Sequence, residues 1–153
     1  MFRAQVEIAI RRLRAARAER AMQDTVRLTV GFVDLVGYTR LSQQLDAVMF
    51  VAVDPSAACD IALTLLERFA GDPAVTPRGG LAEGRLLARG GDYYGSAVNL
   101  ASRIGELAVP REVLATAEVA SAAARDRFRF EPAGRRLLKG FDAPVALYAV
   151  ARP

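Results

Sequence analysis

The 153 residues contain no histidine, no tryptophan and a single cysteine, Cys59. Without His the chain lacks the commonest metal ligand and the commonest general base at neutral pH. One Cys cannot form an internal disulfide, so any metal site has to be built mainly from oxygen. Long apolar runs are missing too. Asp, Arg or Gly interrupts each of them well before the roughly eighteen residues of a membrane span, and no signal-peptide pattern is evident at the start. A cytoplasmic location is the expectation. The glycine-rich GGLAEG lacks the Lys-Ser/Thr that completes a phosphate-binding P-loop, so it reads as hairpin chemistry.

What is present suits one folded domain: 52% of the residues are hydrophobic and 25% charged, enough for a core and too balanced for disorder. The net charge of +4 is unevenly placed. Residues 1 to 20 hold six Arg (Arg3, Arg11, Arg12, Arg14, Arg17, Arg20) against Glu7 and Glu19, a surplus of four that accounts for the whole net charge. The basicity therefore belongs to an arm, taken as residues 1–24 ahead of a domain over 25–153, because the 133 residues after Arg20 are neutral. Val6, Ile10 and Leu13 recur at helical spacing, so the arm reads as an amphipathic helix leading into the domain or pairing with its copy. Contact with an anionic membrane is a minor reading, and no nucleic-acid partner is expected.

In VRLTVGFVD the residues Val26, Leu28, Val30 and Phe32 alternate with others and the run stops at Asp34, which predicts a strand over 26–34. A second strand is expected over 47–53. Asp54 and Pro55 then supply an N-cap and first-turn pair for a helix whose apolar stripe is Ile61, Ala62, Leu65, Leu66 and Phe69, with Cys59 in its core face. Gly71-Asp72-Pro73 ends that helix. A hairpin is expected within 79–92, a helix over 95–108, and short strands near 113–116, 127–131, 135–138 and 145–150. Strands mixed with single helices predict an α/β or α+β sandwich.

Two carboxylates near strand ends, Asp34 and Asp46, suit a hard cation such as Mg²⁺ or Mn²⁺, which takes the rest of its shell from water and substrate phosphates. A purely structural role for both stays open on spacing alone. Asn99 and Arg103 are four apart in AVNLASRI and so project from one helix face, where they could grip a phosphoryl group or simply meet solvent.

The stretches FVDLVGYTRLS, DAVMFVAVDP, GDYYGSAVNLASRI and RRLLKGFDAPVALY resemble, in order and over roughly residues 26 to 151, the catalytic domain of class III nucleotide cyclases, in the bacterial adenylyl branch. The resemblance implies an α+β fold with a ferredoxin-like antiparallel sheet and helices on one face. It implies conversion of ATP to 3′,5′-cyclic AMP and pyrophosphate with two divalent cations per site, at sites shared by a head-to-tail homodimer. Asp34 and Asp46 match the two metal aspartates, Arg78 the phosphate-binding Arg and Lys139 the triphosphate-contacting Lys. Asp92 matches the residue that reads the adenine amino group. Asn99 and Arg103 match the pair that orients the ribose and stabilises the transition state, contributed by the protomer opposite the metal aspartates.

The chain departs from the family pattern between the two aspartates. The family places two helices and a strand there, with a purine-contacting Lys just before the second aspartate; here only residues 35 to 45 intervene, and Leu45 stands where the family has Gly. The expected result is a wide antiparallel hairpin that brings Asp34 and Asp46 to the same end of the sheet. Strand 47–53 should then be an edge, and one sheet face should lose helical cover. A few hundred Å² of wet apolar surface, at about 25 cal/mol per Å², would make the monomer marginally stable. Two other functions stay open: a degenerate, inactive cyclase homology domain that binds nucleotide or dimerises, and a non-enzymatic protein acting through its basic arm.

Overall fold

A computed structural model of the chain describes residues 25–37 and 45–153. The arm expected as a helix lies outside the described residues. The alternation in VRLTVGFVD forms β1 (Val26–Gly37), which pairs antiparallel with β2 (Leu45–Ala52) on one side and with β3 (Val75–Arg89) on the other. Gly90 and Gly91, both at positive φ, make a two-residue turn from β3 into β4 (Asp92–Tyr94); the hairpin expected within 79–92 is displaced to this end, because GGLAEG lies in the middle of β3, paired with β1, and forms no turn. The strands β5 (Val113–Thr116), β6 (Arg129–Arg136) and β7 (Val145–Ala151) complete a sheet of order β2-β1-β3-β5-β7-β6, with β4 attached to β3.

Three helices complete the described chain. Asp54 caps α1 (Pro55–Arg68), its Oδ1 accepting from the Ala57 N–H at 2.9 Å, with Pro55 in the first turn. The second, α2, spans Ser96–Leu107, and the short α3, Ala117–Ala122, follows β5 directly, capped by Thr116. The sequence patterns above do not predict α3, whose six residues are too few to show a period. They also split β6 in two, because Pro132 and Gly134 read as a break; the chain instead absorbs them in a bulge between Pro132 and Arg135.

The α+β class holds, with two differences from the sequence expectation. The sheet is mixed, since β3 and β5 run parallel. The helices lie on both faces. Val33, Phe50, Leu81, Val113 and Ala115 pack with α1 and α3 on one face, while Leu28, Val30, Val51, Ala82 and Leu114 pack with Ala97, Ala101 and Ile104 of α2 on the other. Helical periodicity shows that a helix has an apolar side; it carries no information about which sheet face that side will meet. The expected edge is present, because β2 ends the strand order. The expected bare face is not: no large apolar side chain described on β1 or β2 is among the exposed ones, the nearest being Val53, just past β2. Phe50 contributes to this cover, its ring occupying the space a side chain at Gly31 would need directly across the ladder.

The approach of α2 to the sheet depends on glycine. Gly84 faces Ala97, and Gly80 faces Ala101 and Gly105, so α2 runs back along β3 in close backbone contact. A Cβ at Gly80 would collide with the main chain of Ala101 and Gly105. We therefore expect Gly80→Ala to lower unfolding free energy by about 1–3 kcal/mol in urea titration. Gly71→Ala, whose Cβ would meet nothing within 4 Å, serves as the control and should leave the midpoint near that of the parent.

Cys59 is fully buried in α1, as expected. Burial, with smaller contributions from Asp54 and Asp60, pushes its thiol from the ordinary 9.0 up to about 12. Two outcomes follow. The native protein should resist thiol reagents at pH 8 and react once unfolded in urea. Because the folded thiol keeps its proton to higher pH than the unfolded one, its contribution to stability is complete below about pH 9 and is lost as pH rises towards 12. Unfolding midpoints at pH 8 and pH 10.5 measure this, and Cys59→Ser should remove that component.

On the far side of α1, Arg152 just after β7 donates to Asp60 Oδ1 at 2.7 Å, Glu67 Oε1 at 2.8 Å and Thr64 Oγ1 at 3.1 Å. The C-terminal strand is thereby tied to the helix that covers the first sheet face.

Candidate active site

The antiparallel register of β1 and β3 sets Asp34 opposite Arg78. Their side chains meet, with Arg78 Nε 3.8 Å from Asp34 Oδ2, and both are mostly covered, at 30% and 23% exposure. The distance is that of an ion pair rather than a hydrogen bond. Arg78 spends its hydrogen bonds elsewhere: its Nη1 donates to the carbonyl of Glu106 at 3.0 Å and to that of Ala108 at 3.3 Å, at the C-terminal end of α2. That end carries the negative pole of the helix, so a guanidinium is at home there. Buried Nε has no hydrogen-bond partner among the described residues.

The wide hairpin has the expected register. Asp34 pairs with Ala47 and Leu35 with Asp46, so the two aspartates stand on adjacent rungs at the same end of the sheet. Asp46 is placed by its backbone; its side chain lies outside the described residues. Asp34, partly open near one end of β1, offers hard oxygen and room for water, as Mg²⁺ or Mn²⁺ demands, whereas Asp46 sits one rung on, at a register position of opposite parity whose partner Leu35 packs with the core of the other sheet face.

The remaining sequence-assigned residues lie elsewhere in the chain. Asp92 pairs with Arg89, eleven residues along β3 from Arg78, which is roughly 35 Å along a straight strand. Asp34 and Asp92 therefore stand at opposite ends of the longest strand. Asn99 and Arg103 project from the exposed side of α2, where Arg103 Nη1 sits 3.5 Å from Glu106 Oε2. Lys139 is exposed in the turn after β6, beside buried Leu138. Tyr93 is buried against the α2 face and Tyr94 is 55% exposed. The structure thus joins Asp34 to Arg78 and places the backbone of Asp46 on the neighbouring rung, at opposite parity, and no hydrogen bond or ion pair among the described residues joins Asp92, Asn99 or Lys139 to that pair. A shallow groove between α3 and the β6–β7 pair, lined by Phe128, Phe130 and Tyr148, contains none of these residues. Sequence reasoning missed Glu106 and Ala108 as partners of Arg78; the spacing of three between Arg103 and Glu106 was the one available signal.

Comparison with known proteins agrees with the geometry. The model of the adenylate and guanylate cyclase catalytic domain matches residues 80–151, a span that includes Asp92, Asn99, Arg103 and Lys139. The pH-sensitive adenylate cyclase of Mycobacterium tuberculosis (strain CDC 1551 / Oshkosh) is 32% identical over 163 aligned residues, covering 82% of this chain and 41% of that protein. An adenylate cyclase of Glutamicibacter nicotianae is 35% identical over 130 residues, covering 63% of this chain and 32% of that protein. Among solved structures, the adenylyl cyclase CyaB from P. aeruginosa superposes with a TM-score of 0.69 at 23% identity, covering 86% of this chain and 97% of that one. The catalytic core of a rhodopsin-guanylyl cyclase in complex with ATPalphaS gives 0.72 at 17% identity, over 85% and 99%. This chain is a class III nucleotide cyclase catalytic domain.

The cyclase domain is shortened internally. An alignment of 163 positions that uses 82% of 153 residues, about 125, leaves about 38 positions of the mycobacterial relative with nothing opposite them. The cyclase domain spans about two fifths or less of the curated relatives named here. No helix among its described residues is long and apolar enough to cross a membrane.

Proposed function

We propose that this cyclase domain is an adenylyl cyclase, converting ATP to 3′,5′-cyclic AMP and pyrophosphate at sites shared between two head-to-tail copies. The observation that carries the reading is the cluster of Asp34, Arg78 and the backbone of Asp46 at one end of the sheet, with Asp92 some eleven residues of β3 away. A carboxylate and a guanidinium at one place suit a triphosphate with its cations, and a base-reading carboxylate so distant in the same chain suits a site completed by a partner.

In this reading Asp34 and Asp46 hold two Mg²⁺ or Mn²⁺ ions, which would neutralise the charge that builds on the reacting phosphates. Arg78 would turn its guanidinium towards a phosphate oxygen, and Lys139 would add a second positive contact. The ribose 3′-oxygen, having lost its proton, attacks the α-phosphorus as the bond to the pyrophosphate oxygen breaks. From the partner, Asn99 holds the ribose and Arg103 meets the charge on the phosphoryl oxygens. Asp92 accepts from the adenine amino group. Guanine presents a carbonyl oxygen at that position, and two acceptors repel, so ATP is the expected substrate.

The test is cyclic nucleotide production by the purified protein with Mn²⁺ and either ATP or GTP. Cyclic AMP in excess over cyclic GMP supports the reading. Nucleotide binding with no product from either substrate would favour a module that keeps the fold and has lost the chemistry along with the missing segment.

A further inference from the structure

Glu106 touches both of the arginines assigned to the reaction, through different ends of itself. Its main-chain carbonyl accepts from Arg78 Nη1 at 3.0 Å, while its carboxylate pairs with Arg103 Nη1 at 3.5 Å. The segment after it is pinned close by: the Arg111 N–H donates to the Pro77 carbonyl at 2.7 Å and the Gly79 N–H to the Glu112 carbonyl at 2.9 Å, on either side of Arg78. The stretch between, residues 106 to 110, is held by Arg78, by the carboxylate of Glu112, which accepts from the Val109 N–H at 3.2 Å, and by the Glu112 N–H, which donates to the Val109 carbonyl at 3.1 Å.

We infer that Glu106 is a positioning residue that ties Arg78 to Arg103, so that phosphate held by Arg78 is felt at Arg103. The inference rests on the cyclase reading above. Two neutral carbonyls are weaker acceptors than a phosphate oxygen, since hydrogen bonds between ionised partners are roughly twice as strong. A phosphate beside Arg78 therefore draws the guanidinium away from Glu106 and Ala108 and frees the last turn of α2, whose next residue back on that face is Arg103. In a head-to-tail dimer the Arg78 and Arg103 of one chain serve different sites. Glu106 is then the physical link between the two sites, and occupancy of one changes the aim of the arginine in the other.

The experiment pairs steady-state kinetics on Glu106→Gln with hydrogen exchange on the unsubstituted protein, with ATP binding measured separately by calorimetry. Gln keeps the shape and the main-chain carbonyl but loses the charge that holds Arg103. The expected result is a fall in kcat of about tenfold or more, of the size small misplacements of a catalytic group produce, with KM for ATP and the melting temperature essentially unchanged. Unchanged kcat, or a rise in KM alone, would overturn the inference. Exchange of the amides of residues 104–110 should speed up when ATP and Mn²⁺ bind; no change on demonstrated binding would overturn it too. If the protein binds ATP without turning it over, the adenylyl cyclase reading fails and the exchange result alone decides for or against the link. If calorimetry shows no binding, both fall together.

Discussion

Under the proposed function, Asp34→Ala is expected to lower cyclic AMP production by at least about 100-fold while leaving the fold intact. The size follows from what the carboxylate is asked to do. Losing a single preorganised group that stabilises transition-state charge commonly costs 10²–10³ in rate, and losing a metal ligand costs no less. The fold survives because the β1 backbone stays paired on both sides at this position and the one ion-pair partner of Asp34 among the described residues, Arg78, keeps both carbonyls of α2. A partly exposed ion pair contributes about 1 kcal/mol at most. The measurement is product formation with Mn²⁺ and ATP, beside thermal melting of both proteins. A substituted protein that melts normally and still makes cyclic AMP would show that Asp34 is a structural strand-end residue and that the site lies elsewhere.

The second large effect is a gain. Asp34→Ala and Arg103→Ala, each inactive alone, recover activity when mixed under conditions that let protomers exchange. If each site takes Asp34 from one copy and Arg103 from the other, half of a random mixture is heterodimer, and every heterodimer has one site with both residues intact. The other site lacks both. Recovery should therefore approach about a quarter of the unsubstituted activity, the limit set by two-fold symmetry. A site contained in one chain predicts no recovery at all. The placement of Asp92 roughly 35 Å along β3 from the Asp34 rung is the structural reason to expect recovery, because a single copy cannot bring its own base-reading carboxylate to its own metal carboxylates.

Much of this architecture was legible in the chain. Strict alternation from Val26 to Phe32, the Asp54-Pro55 start of α1 and the apolar run at 113–116 each appear where local chemistry puts them, whereas GGLAEG, read as hairpin chemistry, lies inside β3. The signals that hold are short-range, and they work because period and cap preferences act within a few residues. The β1–β2 hairpin was also foreseeable, since only eleven residues separate Asp34 from Asp46 and so short a connection leaves antiparallel pairing as the simple outcome. So was the edge position of β2.

What the sequence by itself determined, then, was the order of most elements, the family and the residue types available for chemistry: no His, two strand-end aspartates, and arginines in place of other electrophilic groups. The tertiary structure alone decided how those residues combine. Which face α2 covers depends on where Gly80 and Gly84 let a backbone come close, a property of two elements together. The pairing of Asp34 with Arg78 depends on strand register across a separation of 44 positions. The distance that keeps Asp92 away from Asp34 depends on the length of β3. The hold of Arg78 on Glu106 depends on both, because a guanidinium reaches those carbonyls only once α2 has settled on its glycines and brought its last turn over the sheet.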